Sequence, residues 1–276
     1  MNDITETGTR LASLGGLTAD LVRRTLLDAA EIAAAVTLPR FRSALAVDNK
    51  EAEGFDPVTE ADRQAETAIR ELIGARFPDH AIIGEEWEDK PSEGRFAWII
   101  DPIDGTRAFI TGVPVWGTLV GLTIDGEAVA GLMAQPFTGE IFLSLPGEAD
   151  YFRGSDRRPL ATSKVTELAK AKMTTTSPDL FEKAGVAEPW GRMRRAVLTT
   201  RYGLDCYGYA LMAAGHIDLV VEAALKDVDI CPLIPLIENA GGVITTWDGG
   251  RAEQGGNCVA AATPELHAAA MAVLRG

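Results

Sequence analysis

One stretch of the chain decides the fold: residues 97–106, which read AWIIDPIDGT. The first four residues are apolar and predict a buried strand that stops at Asp101. Pro102 fixes its own φ angle and Gly105 permits an unusual backbone conformation, so the chain turns tightly there. The carboxylates of Asp101 and Asp104 can therefore converge on one point. Because Asp, Pro and Gly are also common in ordinary turns, this stretch alone leaves a plain turn as an equal alternative.

Two converging carboxylates favour a cation between them, because two negative charges brought together in a folded protein are costly unless they are neutralised. Magnesium suits this role as a hard ion that prefers oxygen ligands and usually retains several waters. The backbone N–H groups of Gly105 and Thr106 follow directly and can open a helix that faces an anion. Adjacent cation and anion sites are what metal-assisted phosphoryl transfer requires.

Further acidic residues stand at predicted turns elsewhere in the chain. Glu85 follows a strand predicted over residues 81–84, Asp56 precedes a predicted helix, and Asp229 precedes an apolar helix predicted over residues 230–240. Each position has a simpler interpretation. Asp229 can cap its helix through the helix dipole, and Asp56 can belong to a turn. A solvated loop is the preferred interpretation for the neighbours of Glu85, which are Glu86, Glu88 and Asp89.

Periodicity organises the rest into an α+β half followed by an α/β half. The first half is predicted to contain a helix over residues 17–37, a helix opened by a capping box of Thr59 and Asp62, and strands over residues 117–124, 128–133 and 140–145 with a turn at Asp125-Gly126. The polar residues 147–163 are interpreted as the boundary between domains 1–154 and 155–276. The second half is predicted to contain helices over residues 205–214 and 230–240, strands over residues 218–223 and 243–246, and a last helix opened by Thr263-Pro264.

Composition excludes several classes of protein. The 276 residues carry 26 Lys and Arg against 40 Asp and Glu, a net charge of −14 that argues against nucleic acid as a partner. The chain has 3 His and 3 Cys, all widely spaced, which leaves little for a zinc site. No signal peptide and no apolar run of about 20 residues is found, so the expectation is a soluble, cytoplasmic protein with no membrane partner.

Four separated motifs, taken together, resemble the inositol monophosphatase family. They are residues 56–62 (DPVTEAD), Gly84-Glu85-Glu86, residues 101–106 (DPIDGT), and Asp229 followed by Gly241-Gly242. The motifs occur in the family's order, and the resemblance covers nearly the whole chain. It implies a layered αβαβα sandwich, usually a homodimer, and a metal-dependent phosphatase in which water attacks the phosphate directly.

The resemblance also implies a role for each acidic residue. Two or three Mg²⁺ ions are expected per active site, held by Glu85, Asp101, the carbonyl of Ile103, Asp104 and Asp229. Asp101 would be shared by two ions, and a third, weaker ion would lie near Glu85. Asp56 and Thr106 would orient or deprotonate the attacking water, and Glu85 is assigned to catalysis as well. The N–H groups of Gly105 and Thr106 would bind phosphate oxygens.

Residues 201–209, RYGLDCYGY, resemble the branch of the family that hydrolyses histidinol phosphate, although Leu204 replaces an expected glycine. That substrate carries an ammonium and an imidazole, so carboxylates suit its pocket. Asp205 and Glu222 are expected to contact it, with a helix N-cap as the alternative for Asp205. The predicted function is Mg²⁺-dependent hydrolysis of histidinol phosphate in histidine biosynthesis. The alternatives are inositol monophosphate or another small phosphate ester and, more remotely, a non-catalytic metal-binding regulator.

Overall fold

The computed structural model describes residues 14–44, 46–49 and 57–276. Within these ranges the helices are α1 Ala19–Thr37, α2 Glu60–Arg76, α3 Thr106–Ile110, α4 Pro178–Lys183, α5 Ala187–Ala196, α6 Asp205–Ala213, α7 Asp227–Ile230, α8 Ile234–Asn239 and α9 Pro264–Arg275. The strands are β1 Val47–Asn49, β2 Pro57–Thr59, β3 Ala81–Gly84, β4 Phe96–Asp104, β5 Gly117–Ile124, β6 Glu127–Gln135, β7 Glu140–Leu145, β8 Glu148–Arg153, β9 Asp156–Pro159, β10 Lys172–Thr175, β11 Thr199–Tyr202, β12 Leu219–Leu225, β13 Val243–Thr246 and β14 Gly256–Ala261. Single 3₁₀ turns lie at Leu168–Lys170 and Cys231–Leu233.

Two large sheets organise the described residues. The first has seven strands in the order β3-β4-β5-β6-β7-β8-β9, and its neighbours are antiparallel except for the parallel pair of β3 and β4. The second has five strands in the order β11-β10-β12-β14-β13. Its strand β10 lies parallel to both neighbours, whereas β14 is antiparallel to both of its own. β1 and β2 form a separate antiparallel pair.

Helices and sheets stack in five layers. α1 and α2 pack on one face of the first sheet, where Leu26 and Ile69 are buried against Trp98. α6 and α8 lie between the two sheets, and α4, α5 and α9 cover the outer face of the second sheet. Burying one large apolar side chain stabilises the fold by about 1.5–3 kcal/mol, so each layer is held by its apolar stripe. The predicted αβαβα sandwich is confirmed. None of the helices in the described ranges combines the length and apolar character needed to cross a membrane.

Two local predictions are confirmed in detail. Thr59 caps α2, since its Oγ1 accepts a hydrogen bond from the N–H of Ala61, and Asp62 Oδ2 accepts one from the N–H of Thr59 at 2.9 Å. The turn between β5 and β6 has Asp125 at φ 54° and Gly126 at φ 80°, the left-handed pair that a two-residue hairpin needs.

The prediction of one helix over residues 230–240 is wrong. The structure has α7 ending at Ile230, the 3₁₀ turn Cys231–Leu233 and then α8. Pro232 and Pro235 interrupt the regular α-helix because a proline has no N–H to donate and its ring clashes with the preceding turn. As a result Asp229 lies inside the short helix α7 instead of in front of a long one.

The 3₁₀ turn is seated directly on the first sheet. Gly121 and Gly131 lie opposite each other on β5 and β6, and both face Pro232. A Cβ built on Gly131 would lie 1.8 Å from the carbonyl oxygen of Pro232, and one on Gly121 would lie 3.0 Å from its Cα. Only glycine, which has no Cβ, allows this close approach at positions 121 and 131.

Gly131→Ala is expected to destabilise the protein by about 2–3 kcal/mol, because the clash is with backbone and the turn must move. Urea unfolding of the variant and the wild type measures the change. Gly74→Ala is the matched control, since no described atom lies within 4 Å of its added Cβ and alanine favours the helix. A Gly131→Ala protein as stable as the wild type would contradict the seating of Pro232 on this sheet.

The polar segment 147–163 contains two strands that the sequence analysis did not predict. β8 and β9 extend the first sheet as far as Pro159, and the second sheet begins with β10 at Lys172. The four residues of β9 are all exposed. Arg157 pairs with Asp150 at 2.8 Å, so charged side chains cover this edge of the sheet. The division of the chain at residue 154 stays a prediction.

Candidate active site

Three carboxylates from two distant parts of the chain meet at the end of β4. Carboxylate oxygens of Asp101, Asp104 and Asp229 all lie within 4.8 Å of one another. Asp101 is only 1% exposed, and the other two are half-buried. Asp101 and Asp104 come from the first sheet, and Asp229 comes from α7, which packs against β4. The structure therefore brings together three of the residues singled out in the sequence.

Burial and mutual repulsion disfavour the ionised forms of this cluster. Burial, and then the charges of Glu85 and Asp104, raise the pKa of Asp101 well above its ordinary value. Burial, and then Asp205 and Asp229, do the same to the pKa of Asp104. Burial raises the pKa of Asp229 to about 6, with Glu85 adding to the effect. A cation among these oxygens would instead favour the ionised carboxylates, so the cluster suits a hard metal ion.

We expect the metal-free protein to lose stability as the pH rises from about 5 to about 8. The unfolded chain loses the protons of Asp205 and Asp229 near pH 3.8, whereas the folded protein holds them up to about 6. The folded state binds more protons in this window, so the free energy of unfolding falls with increasing pH. Glu222, with its pKa raised to about 8 by burial, acts in the same direction.

Urea unfolding in EDTA and in saturating Mg²⁺ at both pH values tests this expectation. His80 makes the free energy of unfolding rise with pH, because burial and then Lys90 lower its pKa. This contribution is the same with and without metal. The difference between the two series therefore isolates the acidic cluster. A metal-free protein whose stability rises steadily over this range, in parallel with the Mg²⁺ series, would contradict the account.

The end of β4 and the turn that follows it are held by their own side chains. Asp101 Oδ1 accepts a hydrogen bond from the N–H of Ile103 at 3.0 Å. Gly105 adopts φ 80°, a left-handed conformation that glycine tolerates without cost, and is the N-cap of α3. Thr106 Oγ1 lies 3.1 Å from the carbonyl oxygen of Ile103 and 3.4 Å from Asp62 Oδ1. The turn thus places Thr106 between the end of β4 and the start of α2.

Glu85 lies beside the cluster and is paired with a lysine. Its Oε1 accepts a hydrogen bond from Lys226 Nζ at 3.0 Å, and its side chain is 12% exposed. The backbone N–H of Lys226 donates to Asp229 Oδ2 at 2.8 Å, so the Asp229 side chain caps the first turn of α7. Asp229 therefore caps α7 and not the helix expected over residues 230–240, and it does so while lying in the cluster.

Asp205 adjoins the cluster but does not cap its helix. It is the first residue of α6, the N-cap is Leu204, and no side chain caps this helix. Its φ of 47° is left-handed, a strained conformation for a residue other than glycine. A Cβ on Gly105 would lie 3.1 Å from Asp205 Oδ2, so the backbone of Gly105 closely approaches the Asp205 side chain. Burial raises the pKa of Asp205 to about 6, and the Arg107 guanidinium opposes that rise.

Glu222 is enclosed at the centre of the second sheet. It is 1% exposed and accepts hydrogen bonds from Thr175 Oγ1 at 3.0 Å, the Thr176 N–H at 2.7 Å and Thr176 Oγ1 at 3.0 Å. The Thr176 hydroxyl also interacts with Asp205. Glu222 therefore connects to the site through Thr176.

The sequence did not predict four residues that contribute to the site, namely Lys226, Thr175, Thr176 and Cys206. The N–H of Cys206 donates to Asp104 Oδ2 at 2.7 Å and ties α6 to the turn. Burial, and then the charge of Asp104, raise the pKa of the Cys206 thiol well above its ordinary value, which disfavours the thiolate. Asp56 lies outside the described residues, and its predicted role stays a prediction.

The sequence model of the inositol monophosphatase family matches residues 19–276, which span every acidic residue described above. The chain belongs to the inositol monophosphatase family. As a member of this family it is a phosphoric monoester hydrolase.

Other inositol monophosphatase family members show how far the similarity extends. The chain is 42% identical over 201 residues to bifunctional phosphatase IMPL2, chloroplastic, of Arabidopsis thaliana, covering 72% of this chain but 57% of the plant protein. It is 36% identical over 224 residues to a histidinol-phosphatase of Chlorobaculum parvum, covering 81% and 85% of the two chains. The structure of an inositol monophosphatase from Zymomonas mobilis superposes with a TM-score of 0.83 at 34% identity, covering 94% of this chain and 100% of that one. The two bacterial relatives are named for different substrates, so family membership leaves the leaving group open.

Proposed function

We propose that this protein is a Mg²⁺-dependent phosphatase that releases phosphate from L-histidinol phosphate, a reaction of histidine biosynthesis. The observation that carries the proposal is the cluster of Asp101, Asp104 and Asp229, with Asp205 directly beside it. The similarity to the histidinol-phosphatase of Chlorobaculum parvum supports the choice of substrate.

The acidic residues fit a divalent cation. The candidate ligand atoms are all oxygens, which matches the preference of Mg²⁺. Asp101, Asp104 and Asp229 would hold one ion, and Glu85, Asp101 and the Ile103 carbonyl another, with two or three ions per site in all. When bound, such ions lower the pKa of a coordinated water and stabilise the charge that develops on the phosphoryl oxygens.

Thr106 is suited to orient the attacking water. Its hydroxyl has the Ile103 carbonyl at 3.1 Å as a hydrogen-bond acceptor. A hydroxyl that donates to a carbonyl keeps its lone pairs to accept a hydrogen bond from a water molecule. The motif of residues 56–62 supports Asp56 as the group that helps to deprotonate this water. The motif of residues 101–106 supports the N–H groups of Gly105 and Thr106 as contacts for phosphate oxygens.

Asp205 is suited to bind the ammonium group of histidinol phosphate. With a pKa of about 6 it is ionised at neutral pH, and a bound ammonium would favour its charged form further. Glu222 would support Asp205 through Thr176, because its hydrogen bonds to Thr176 hold that hydroxyl next to Asp205. A neutral polyol would gain nothing from the charge of Asp205, so this carboxylate supplies selectivity.

Phosphate release from histidinol phosphate and from inositol monophosphate, measured side by side in Mg²⁺, tests the proposal. We expect a strong preference for histidinol phosphate that EDTA abolishes. Equal or reversed preference would overturn the substrate, and no release from either ester would favour a non-catalytic regulator. The proposal includes a homodimer in the cytoplasm, and sedimentation of the same preparation and cell fractionation test these two points.

A further inference from the structure

Glu66 on α2 is a fully buried carboxylate that lies outside the acidic cluster. Its side chain is 0% exposed. Its Oε1 accepts a hydrogen bond from Arg70 Nε at 2.7 Å, and its Oε2 accepts one from the N–H of Glu86 at 2.8 Å. Burying a carboxylate completely is costly, and here the cost is offset by an ion pair and a backbone hydrogen bond to the residue that follows Glu85.

Arg70 extends the same contact along the loop. Its Nη1 donates to the carbonyl oxygen of Glu88 at 3.1 Å, and its Nη2 donates to that of Trp87 at 3.2 Å. The two side chains therefore hold three consecutive residues, 86–88, by their backbone.

Gly84 allows this arrangement. It ends β3, directly before Glu85, and a Cβ built on it would lie 2.1 Å from Glu66 Oε1 and 2.8 Å from Arg70 Nη2. The absence of a side chain at position 84 lets the buried ion pair reach the backbone on both sides of Glu85.

We propose that Glu66 and Arg70 act as positioning residues that hold Glu85 in place to bind a divalent cation. This inference rests on the proposed function, since it takes Glu85 to be a metal ligand. A ligand on a loop needs support from neighbouring groups to keep its orientation, and loss of such support typically weakens metal binding 10- to 100-fold. The backbone around Glu85 receives that support from α2, which also carries Asp62 next to Thr106.

Glu66→Gln is the first test, because it keeps the shape of the side chain but replaces one acceptor oxygen by a donor. Either Arg70 or the N–H of Glu86 then loses its partner. Calorimetric titration of Mg²⁺ into the metal-stripped, full-length protein is expected to show a Kd raised about tenfold. Hydrogen exchange of the Glu86 amide is expected to become faster. Glu71→Gln, an exposed glutamate on the same helix, is the matched control and should bind Mg²⁺ as the wild type does.

Arg70→Lys is the second variant, and it tests the positioning of Glu85 if Glu66→Gln fails to fold. A single ammonium cannot reach Glu66 and both carbonyls as the planar guanidinium does, so weaker Mg²⁺ binding and faster exchange of residues 86–88 are expected. Folded variants with wild-type Mg²⁺ affinity would overturn the inference, as would a wild-type protein that binds no Mg²⁺. Wild-type protein that binds Mg²⁺ but releases no phosphate would count against the proposed function alone.

Discussion

Asp104→Asn is expected to lower kcat for phosphate release by about a thousandfold, since loss of a proposed metal ligand removes several kcal/mol of charge stabilisation in the transition state. The variant should fold normally, because the asparagine amide oxygen can still accept the hydrogen bond that the N–H of Cys206 donates at 2.7 Å. Without metal it should be more stable than the wild type. Asp104 is half-buried beside Asp205 and Asp229, and removing its charge relieves repulsion in the empty cluster.

Phosphate release and thermal unfolding with and without Mg²⁺ measure both effects on one protein. The exposed Asp248 supplies the control, and Asp248→Asn should match the wild type in both measurements. A variant that loses activity and is also less stable in EDTA would indicate general damage to the fold. Activity within tenfold of the wild type would contradict the placement of Asp104 among the metal ligands.

Asp205→Asn is expected to lower kcat/KM for histidinol phosphate by about 10- to 100-fold, the loss typical of one charge-assisted hydrogen bond. Asparagine is the appropriate replacement, since it tolerates the left-handed φ of 47° that alanine would strain. Hydrolysis of inositol monophosphate should change little, because a neutral polyol offers no cation to this carboxylate.

Steady-state kinetics on both esters separate a loss of recognition from a loss of chemistry. The ratio of the two kcat/KM values should fall in Asp205→Asn and stay constant in Asp248→Asn. Equal losses on the two substrates would show that Asp205 supports the metal centre or α6 and does not select the leaving group.

The parts of the fold that the sequence predicted are those whose cause is local. Thr59 and Asp62 cap a helix within four residues, and Asp125-Gly126 shape a hairpin that depends on two φ angles. The helix over residues 230–240 failed because its apolar run suggested continuity although two prolines argued against it. The seating of Pro232 on Gly131 is a tertiary contact between elements far apart in sequence, and no periodicity predicts it.

The residues of the site also divide into those that the local sequence predicts and those that only the tertiary fold brings together. Asp101 and Asp104 lie three residues apart at the end of β4, so their convergence was predictable from the local sequence. Asp229 reaches the same point from another helix, and only the family resemblance connected it to them. Lys226 and Thr176 belong to residue types common on any surface, and they contribute here because β10, β12 and α7 bring them to the acidic residues.

The seating of Pro232 on the two glycines has a consequence for how such an enzyme can diversify. Asp229 stands three residues before this proline, so the first sheet supports all three clustered carboxylates. Asp205 and Glu222 lie on α6 and β12, which take their main support from other elements. Substitutions on β12, and on α6 away from the Cys206 N–H that holds Asp104, can therefore accumulate while the acidic cluster keeps its dimensions. The residues proposed for substrate recognition can then change without a change in the acidic cluster.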